Sequence, residues 1–248
     1  MFYEDLGAGA PTIVFVHGIG NHEHFARQID HFRRDHRVIA LDLPGFGKSD
    51  VSETHPQTIA GYAAAVAELC DELDVRAAVV VGASMGGAVA LEFAAARPDV
   101  AAAVVLLDPI GVVPLPMIQE QLAGLAAAVA GGAVEAFRGF AEAVMFRPTD
   151  DAATRARLVD DMCATRPAVL AATLASISEW TGEPIAAKVT MPVLLVTAGD
   201  GVPADMARTR EIIPQLELGR AVGAGHFAHL LSPEQVNAMI ERFLAISL

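Results

Sequence analysis

Six short runs of β-branched and aliphatic residues, most of them separated by segments of helical period, constrain this chain more than any other feature. They are TIVFV (12–16), RVIAL (37–41), AAVVV (77–81), AAVVLL (102–107), VLLVT (193–197) and LELGRAV (216–222). A strand with one wet face alternates apolar and polar residues; these runs do not, so they are expected to be buried on both faces. Between them lie IAGYAAAVAELCDEL (59–73) and GGAVALEFAAARP (86–98), whose apolar residues recur at helical spacing. Strand, helix, strand in alternation predicts an α/β fold with a doubly wound, mostly parallel sheet. At 248 residues the chain has ample length for one such core.

One interval breaks the rhythm. From 112 to 188 the sequence offers only helical stretches, so a helical insertion between neighbouring strands is expected, with residues 1–111 and 189–248 forming the sheet core. Within it, Gly131-Gly132 predicts a turn between two short helices. Near the end, Ser232-Pro233-Glu234 marks a helix start, with serine at the cap and proline in the first turn.

The third run ends in Gly82-Ala83-Ser84-Met85-Gly86-Gly87 and opens straight into a helix. A strand that turns at once into a helix holds its turning residue in a strained conformation, and only small neighbours leave room for it. Gly82 and Gly86, two before and two after the serine, fit G-x-S-x-G, a turn that lifts a serine oxygen above the strand ends. A phosphate loop would instead require G-x-x-x-x-G-K-S/T, and no lysine stands near.

A serine hydroxyl needs a base, and the base needs an acid. His226, in the glycine-rich loop VGAGHFAHLL after the last run, is the expected base; His229 is expected to pack or line a pocket. Asp200, after the fifth run, is the first choice of acid, with Asp108 at the end of AAVVLLD as the alternative and Asp205 third. An oxyanion would be held by the N–H of Met85 and, from the loop VFVHGIGNHEHF, that of Ile19 next to Gly18. His17 is expected to brace that loop. His22 and Asn21 are candidates for touching substrate, against a solvated loop, and the cluster His17, His22, His24 lacks the spacing of a metal site. Asp150-Asp151 and Asp160-Asp161 read as solvated helix faces and starts.

These stretches, HGIG (17–20), LDLPGFGKSD (41–50), GASMGG (82–87), LLDP (106–109) and GAGHFAHLLSPE (223–234), resemble the α/β-hydrolase family in its small, capped form over almost the whole chain. The resemblance implies an eight-stranded, mainly parallel sheet with a helical cap at 112–188 after the sixth strand. The short FYEDLG before the oxyanion run implies that the first family strand is missing or rudimentary. Relatives that open epoxides or remove halide carry aspartate at the turn where this chain has Ser84.

The expected function is therefore hydrolysis of a small, fairly apolar carboxylic ester or lactone without a cofactor or metal. Candidate pocket walls are Asn21, Trp180 and Phe227, with Met117, Phe137, Phe140, Met145 and Phe146 from the insertion. The same residues would also serve carbon–carbon bond hydrolysis, thioester hydrolysis or perhydrolysis, and a ligand-binding signalling protein of this fold is the alternative outside catalysis. A net charge of −13, with Lys48 and Lys188 the only lysines, argues against nucleic acid or an anionic membrane as partner. The first residues show no secretory signal pattern, so a cytoplasmic location is expected. Cys70 and Cys163, far apart and without metal-like spacing, are expected as buried free thiols.

Overall fold

The computed structural model describes residues 1–198 and 204–248. Seven strands form one sheet: β1 (Tyr3–Leu6), β2 (Thr12–Val16), β3 (Val38–Leu41), β4 (Ala78–Ala83), β5 (Ala101–Leu107), β6 (Val193–Ala198) and β7 (Leu216–Ala221). Their order is β1-β3-β2-β4-β5-β6-β7, parallel throughout except for β1, which runs antiparallel to β3. The family resemblance implies eight strands with the first missing or rudimentary; among the described residues there are seven, and the short β1 is an edge strand. With one strand fewer, the helical insertion leaves the sheet after β5, not after a sixth strand.

Eleven helices complete the described fold. They are α1 (Ala26–Phe32), α2 (Ile59–Glu72), α3 (Met85–Ala96), α4 (Pro116–Ala130), α5 (Val134–Val144), α6 (Ala152–Cys163), α7 (Pro167–Glu179), α8 (Glu183–Ala186), α9 (Met206–Ile212), α10 (Ala228–Leu231) and α11 (Pro233–Ser247). The break between α4 and α5 falls at Gly131-Gly132, where Gly132 takes φ +92°. Pro233 opens α11 as expected, but the Ser232 hydroxyl makes no capping bond. Both cysteines are free; Cys70 is buried as expected, whereas Cys163, in the last turn of α6, is only half-buried.

Successive strand residues point to opposite faces. Ile13, Phe15, Val79 and Val81 therefore join one apolar layer, which α1 and α11 cover through Ile29, Phe32, Ile240 and Phe243. Val14, Val16 and Val80 join the other, beneath α2, α3 and the inserted helices. Burying each such side chain contributes about 1.5–3 kcal/mol, so a sheet apolar on both faces forces helices onto both. The expectation of burial holds for β2 to β5 but fails for β7, whose Glu217, Leu218 and Arg220 are exposed because it is an edge strand.

Every parallel strand points its carboxyl end to the same rim of the sheet, where ligands of open α/β sheets bind. Four of the loops that leave this rim, after β2, β4, β5 and β7, carry the residues of interest.

Candidate active site

Ser84 sits at φ +54°, ψ −120°, between β4 and α3. A non-glycine residue at that φ is strained by about 1–3 kcal/mol, and the surroundings hold it there. Its N–H donates to Leu107 O (3.0 Å), while its carbonyl accepts from Gly87 N (3.0 Å) and Ile110 N (3.2 Å). The glycines explain why the turn closes. A Cβ on Gly86 would strike the carbonyl oxygens of Val16 and His17, and one on Gly82 would lie 2.7 Å from Gly87 N. Because Ser84 caps α3, the N–H of Met85 belongs to the first helical residue and has no partner within the helix.

The loop after β2 passes directly over the serine: a Cβ on Gly18 would lie 3.0 Å from Ser84 Cβ and 3.5 Å from its Oγ. His17 braces this loop. Its Nε2 accepts from Leu43 N–H (2.9 Å), which leaves the proton on Nδ1, 2.5 Å from Gly18 O. Burial pushes its pKa down to about 4, so the ring stays neutral. Ile19 reaches the cavity beside Ser84.

His226 Nδ1 lies 2.5 Å from Asp108 Oδ2, and the other carboxylate oxygen of Asp108 accepts from Ala198 N–H (2.9 Å). A carboxylate can only accept, so the imidazole proton belongs on Nδ1 and the Nε2 lone pair is free for a hydroxyl. Asp108 is buried at the end of β5 with φ +42° and donates its own N–H to Val196 O (2.7 Å). The first-choice acid, Asp200, lies outside the described residues; among those described, the alternative Asp108 is the residue that holds His226. Asp205, the third candidate, caps α9 by accepting from Arg208 N (2.9 Å).

Ser84, Asp108 and His226 open onto a cavity of about 310 Å³ whose remaining walls are mostly apolar. Trp180, Phe137, Phe140, Met145 and Phe146 line it as expected. The other expected wall residues do not. Met117 points outward at 68% exposure, on the solvent side of α4. Asn21 lines neither this cavity nor the smaller one behind Ser84, because its side chain caps the turn 22–25 by accepting from Glu23 N (2.9 Å). Phe227 stacks on Phe146 (5.4 Å, 20°) and faces the smaller cavity.

Two further expectations need correction, those for His22 and Asp150. His22 is buried, not solvated, because its ring Nδ1 (2.8 Å) and backbone N–H (2.7 Å) both bond Asp42 Oδ1. Burial opposes ionisation of Asp42, yet these bonds and one from Lys48 N–H outweigh it and lower its pKa. His24 is also buried, against Phe227. Asp150 is buried too, since Oδ2 accepts from Arg147 N (2.7 Å) and lies where a Cβ on Gly225 would have to go.

Sequence reasoning missed the tie between the insertion and the histidine loop, in which His226 N–H donates to Met145 O (2.9 Å). It also missed Gln119 and Arg147, polar residues of the insertion that line the large cavity. No sequence signal marks either, because the inward face of each inserted helix is set by packing. Among the described residues no group of three or more His, Cys, Asp or Glu is placed to hold a metal ion. No described helix is long and apolar enough to cross a membrane.

Known proteins resemble this chain in sequence and in fold. Lipase LipV of Mycobacterium tuberculosis is 40% identical over 102 residues, 41% of this chain and 38% of its own. For the lipase and two other curated relatives, the match spans only 29% to 40% of their length. A 2-hydroxy-6-oxononadienedioate/2-hydroxy-6-oxononatrienedioate hydrolase of a Pseudomonas species is 28% identical across 97% of this chain and 90% of its own. A thermophilic esterase of Thermogutta terrifontis superposes with a TM-score of 0.87 over 98% of this chain and 92% of its own, at 24% identity, which speaks for the fold. The sequence pattern of the alpha/beta hydrolase family matches residues 13–239, and this chain belongs to that family.

Proposed function

We propose that this chain is a serine hydrolase that cleaves a small, fairly apolar carboxylic ester or lactone through an acyl-enzyme on Ser84. In this reading residues 1–111 and 189–248 are the catalytic core, and 112–188 form a cap that shapes the acyl pocket. The observation that carries it is the 2.5 Å contact between His226 Nδ1 and Asp108, beside a serine held at positive φ.

The chemistry follows from those positions. Ser84 Oγ attacks the substrate carbonyl while His226 Nε2 takes its proton. Asp108 stabilises the resulting imidazolium and keeps the ring in its working tautomer. Negative charge on the carbonyl oxygen meets the N–H groups of Met85 and Ile19, with the N-terminus of α3 adding its dipole. His226 then protonates the leaving alcohol, and water, activated by the same ring, releases the acid. The volume near 310 Å³ and its aromatic walls suit a small apolar acyl group.

Arg147 favours a second reading of the same site. It is the one cation among the residues lining the large cavity, and a dienedioate, the substrate named for the Pseudomonas relative, carries two carboxylates. Carbon–carbon bond hydrolysis of an acidic dienone would use Ser84 and His226 and place one carboxylate at Arg147.

The test is turnover of short p-nitrophenyl esters by wild type and Ser84→Ala, alongside fluorophosphonate labelling followed by peptide mass spectrometry. Labelling at Ser84 and loss of turnover in the variant are expected. Retained turnover in Ser84→Ala would remove the mechanism. Activity on a vinylogous diketone with none on esters selects the second reading, and labelling without any turnover selects a ligand-binding role.

A further inference from the structure

Behind Ser84 lies a second, smaller cavity of about 30 Å³, whose walls include Ser84, His226, His24, His229, Phe25 and Phe227. We infer that this compartment binds the water that hydrolyses the acyl-enzyme, held between His24 and His229 on the face of Ser84 away from the acyl pocket. The inference rests on the serine-hydrolase reading above and adds a site to it.

Size speaks first. A water occupies about 30 Å³ of liquid and needs a cavity of roughly 10–15 Å³ by this measure, so the compartment takes one or two waters and no acyl group. Polarity speaks second. His24 and His229 are 2% and 3% exposed. His24 Nε2 faces Asp161 Oδ2 at 3.7 Å, a long contact that still lowers the Asp161 pKa, so His229 Nε2 is the atom left without a partner among the described residues. Leaving a buried polar atom unsatisfied costs about 1–3 kcal/mol, and the two rings beside one small cavity call for a polar occupant. A buried water makes two to four hydrogen bonds, which the two imidazoles and the Ser84–His226 pair can supply. His229 remains a neutral partner, because burial and the nearby His24 and His226 push its pKa down to about 3.

Position speaks third. Ser84 and His226 wall both cavities, so an acyl group in the large one leaves the small one open toward the ester carbonyl. Phe25, Phe227 and Met162 close the compartment on its apolar side. Phe227 sits edge-on to His24 (5.6 Å, 89°), and Phe25 packs on His229 (5.2 Å), which fixes both rings. In the step proposed, the water oxygen bonds to the acyl carbonyl carbon and one water proton passes to His226 Nε2. The C–Oγ bond then breaks as that proton returns to Ser84 Oγ, giving the free acid and the resting serine. His24 and His229 are positioning residues in this step, since they hold the water and touch no reacting atom of the acyl group.

Pre-steady-state hydrolysis of p-nitrophenyl butyrate by wild type, His24→Leu and His229→Leu separates the two halves of the reaction. The acylation burst should keep its rate, while deacylation slows about 10- to 100-fold, the scale expected when a reactant is misplaced. Acyl-Ser84 should then accumulate in the mass spectrum, and methanol, which can enter through the large cavity, should restore turnover. His24→Gln and His229→Gln, which keep a polar atom, should recover much of the deacylation rate. Wild-type deacylation in the leucine variants, or equal slowing of both halves, overturns the inference. Should the leucine variants not fold, a high-resolution crystal structure of wild type decides: a water bonded to both Nε2 atoms supports it, and side chains filling the space end it. Failure to acylate Ser84 at all would instead sink the serine-hydrolase reading.

Discussion

The large cavity and the small one share Ser84, His226, Ile19 and Met145 yet differ in most of what else walls them. Inserted helices supply aromatic and aliphatic side chains to the first, around about 310 Å³. Buried histidines from the loops of the sheet rim, set among phenylalanines, wall the second, around about 30 Å³. In the reading proposed above, the two partners of a hydrolysis are sorted mainly by separate parts of the chain: the insertion shapes the space for the acyl group and the sheet loops present its acceptor. The His226–Asp108 pair stands at the junction.

The largest effect is expected at that junction. Asp108→Asn would keep an acceptor for Ala198 N–H but turn an amide N–H toward His226, driving the imidazole proton to Nε2, where it cannot receive the serine's. A loss of about 10⁴ in kcat is expected, with the unfolding midpoint little changed. Less than tenfold loss on p-nitrophenyl butyrate would return the acid role to Asp200.

Next comes the wall of the large cavity. Phe137 is fully buried yet lines the acyl pocket, so it belongs to core and site at once. Phe137→Ala should cost about 3–5 kcal/mol of stability in urea unfolding. The survivor should prefer longer acyl chains, while deacylation of a common acetyl-enzyme stays unchanged. A fall in deacylation rate without a change in chain preference would show that the two cavities are not separable.

Arg147 sharpens the same contrast with a smaller effect. A charge-assisted hydrogen bond contributes about 1.5–3 kcal/mol, so Arg147→Met should raise KM for an ester with a distal carboxylate roughly 10- to 100-fold. Its neutral isostere should be unaffected. Equal effects on both esters would remove Arg147 from substrate selection.

These elements differ in how far the sequence exposes them. The nucleophile turn is legible because its constraint is local: Ser84 needs small neighbours at fixed offsets, and Gly82 and Gly86 stand there. The same holds for β2 to β5, whose runs are apolar on both faces and are interior, whereas the LELGRAV run carries Glu217 and Arg220 and lies at the edge. The acid is not legible in this way. Asp108 and Asp200 both follow apolar runs and both lie between Ser84 and His226 in the chain, so order fits either. Among the described residues it is Asp108 that turns at φ +42° with its carboxylate between Ala198 N and His226, a fact of three-dimensional register that chain order does not carry. Met117 and Phe137 differ for a similar reason: each is an apolar residue of an amphipathic helix, and only packing decides that one faces water and the other the site. His22 departs from expectation in the opposite sense, because it sits in a polar stretch, NHEHF, that folds inward under Asp42 and Phe227.

The buried histidines also predict an effect away from turnover, a dependence of stability on acid. His17 and His229 are held neutral by burial, with pKa values near 4 and 3 against an ordinary 6.5. The unfolded chain binds protons at these positions below about pH 6.5, and the folded chain does not until pH 4 or 3. Stability from both rings is therefore fully present above pH 6.5 and is lost as pH falls through 6 and 5 toward the folded values, at up to about 1.4 kcal/mol per pH unit for each ring. Urea unfolding at pH 7.5, 6.5, 5.5 and 4.5 should show this slope. His229→Gln, which cannot titrate, should remove about half of it while leaving the His17 share. A stability that is flat across that range would mean that the small cavity's walls accept charge, and the contrast between an acyl pocket and a neutral, water-holding compartment would fail on its polar side.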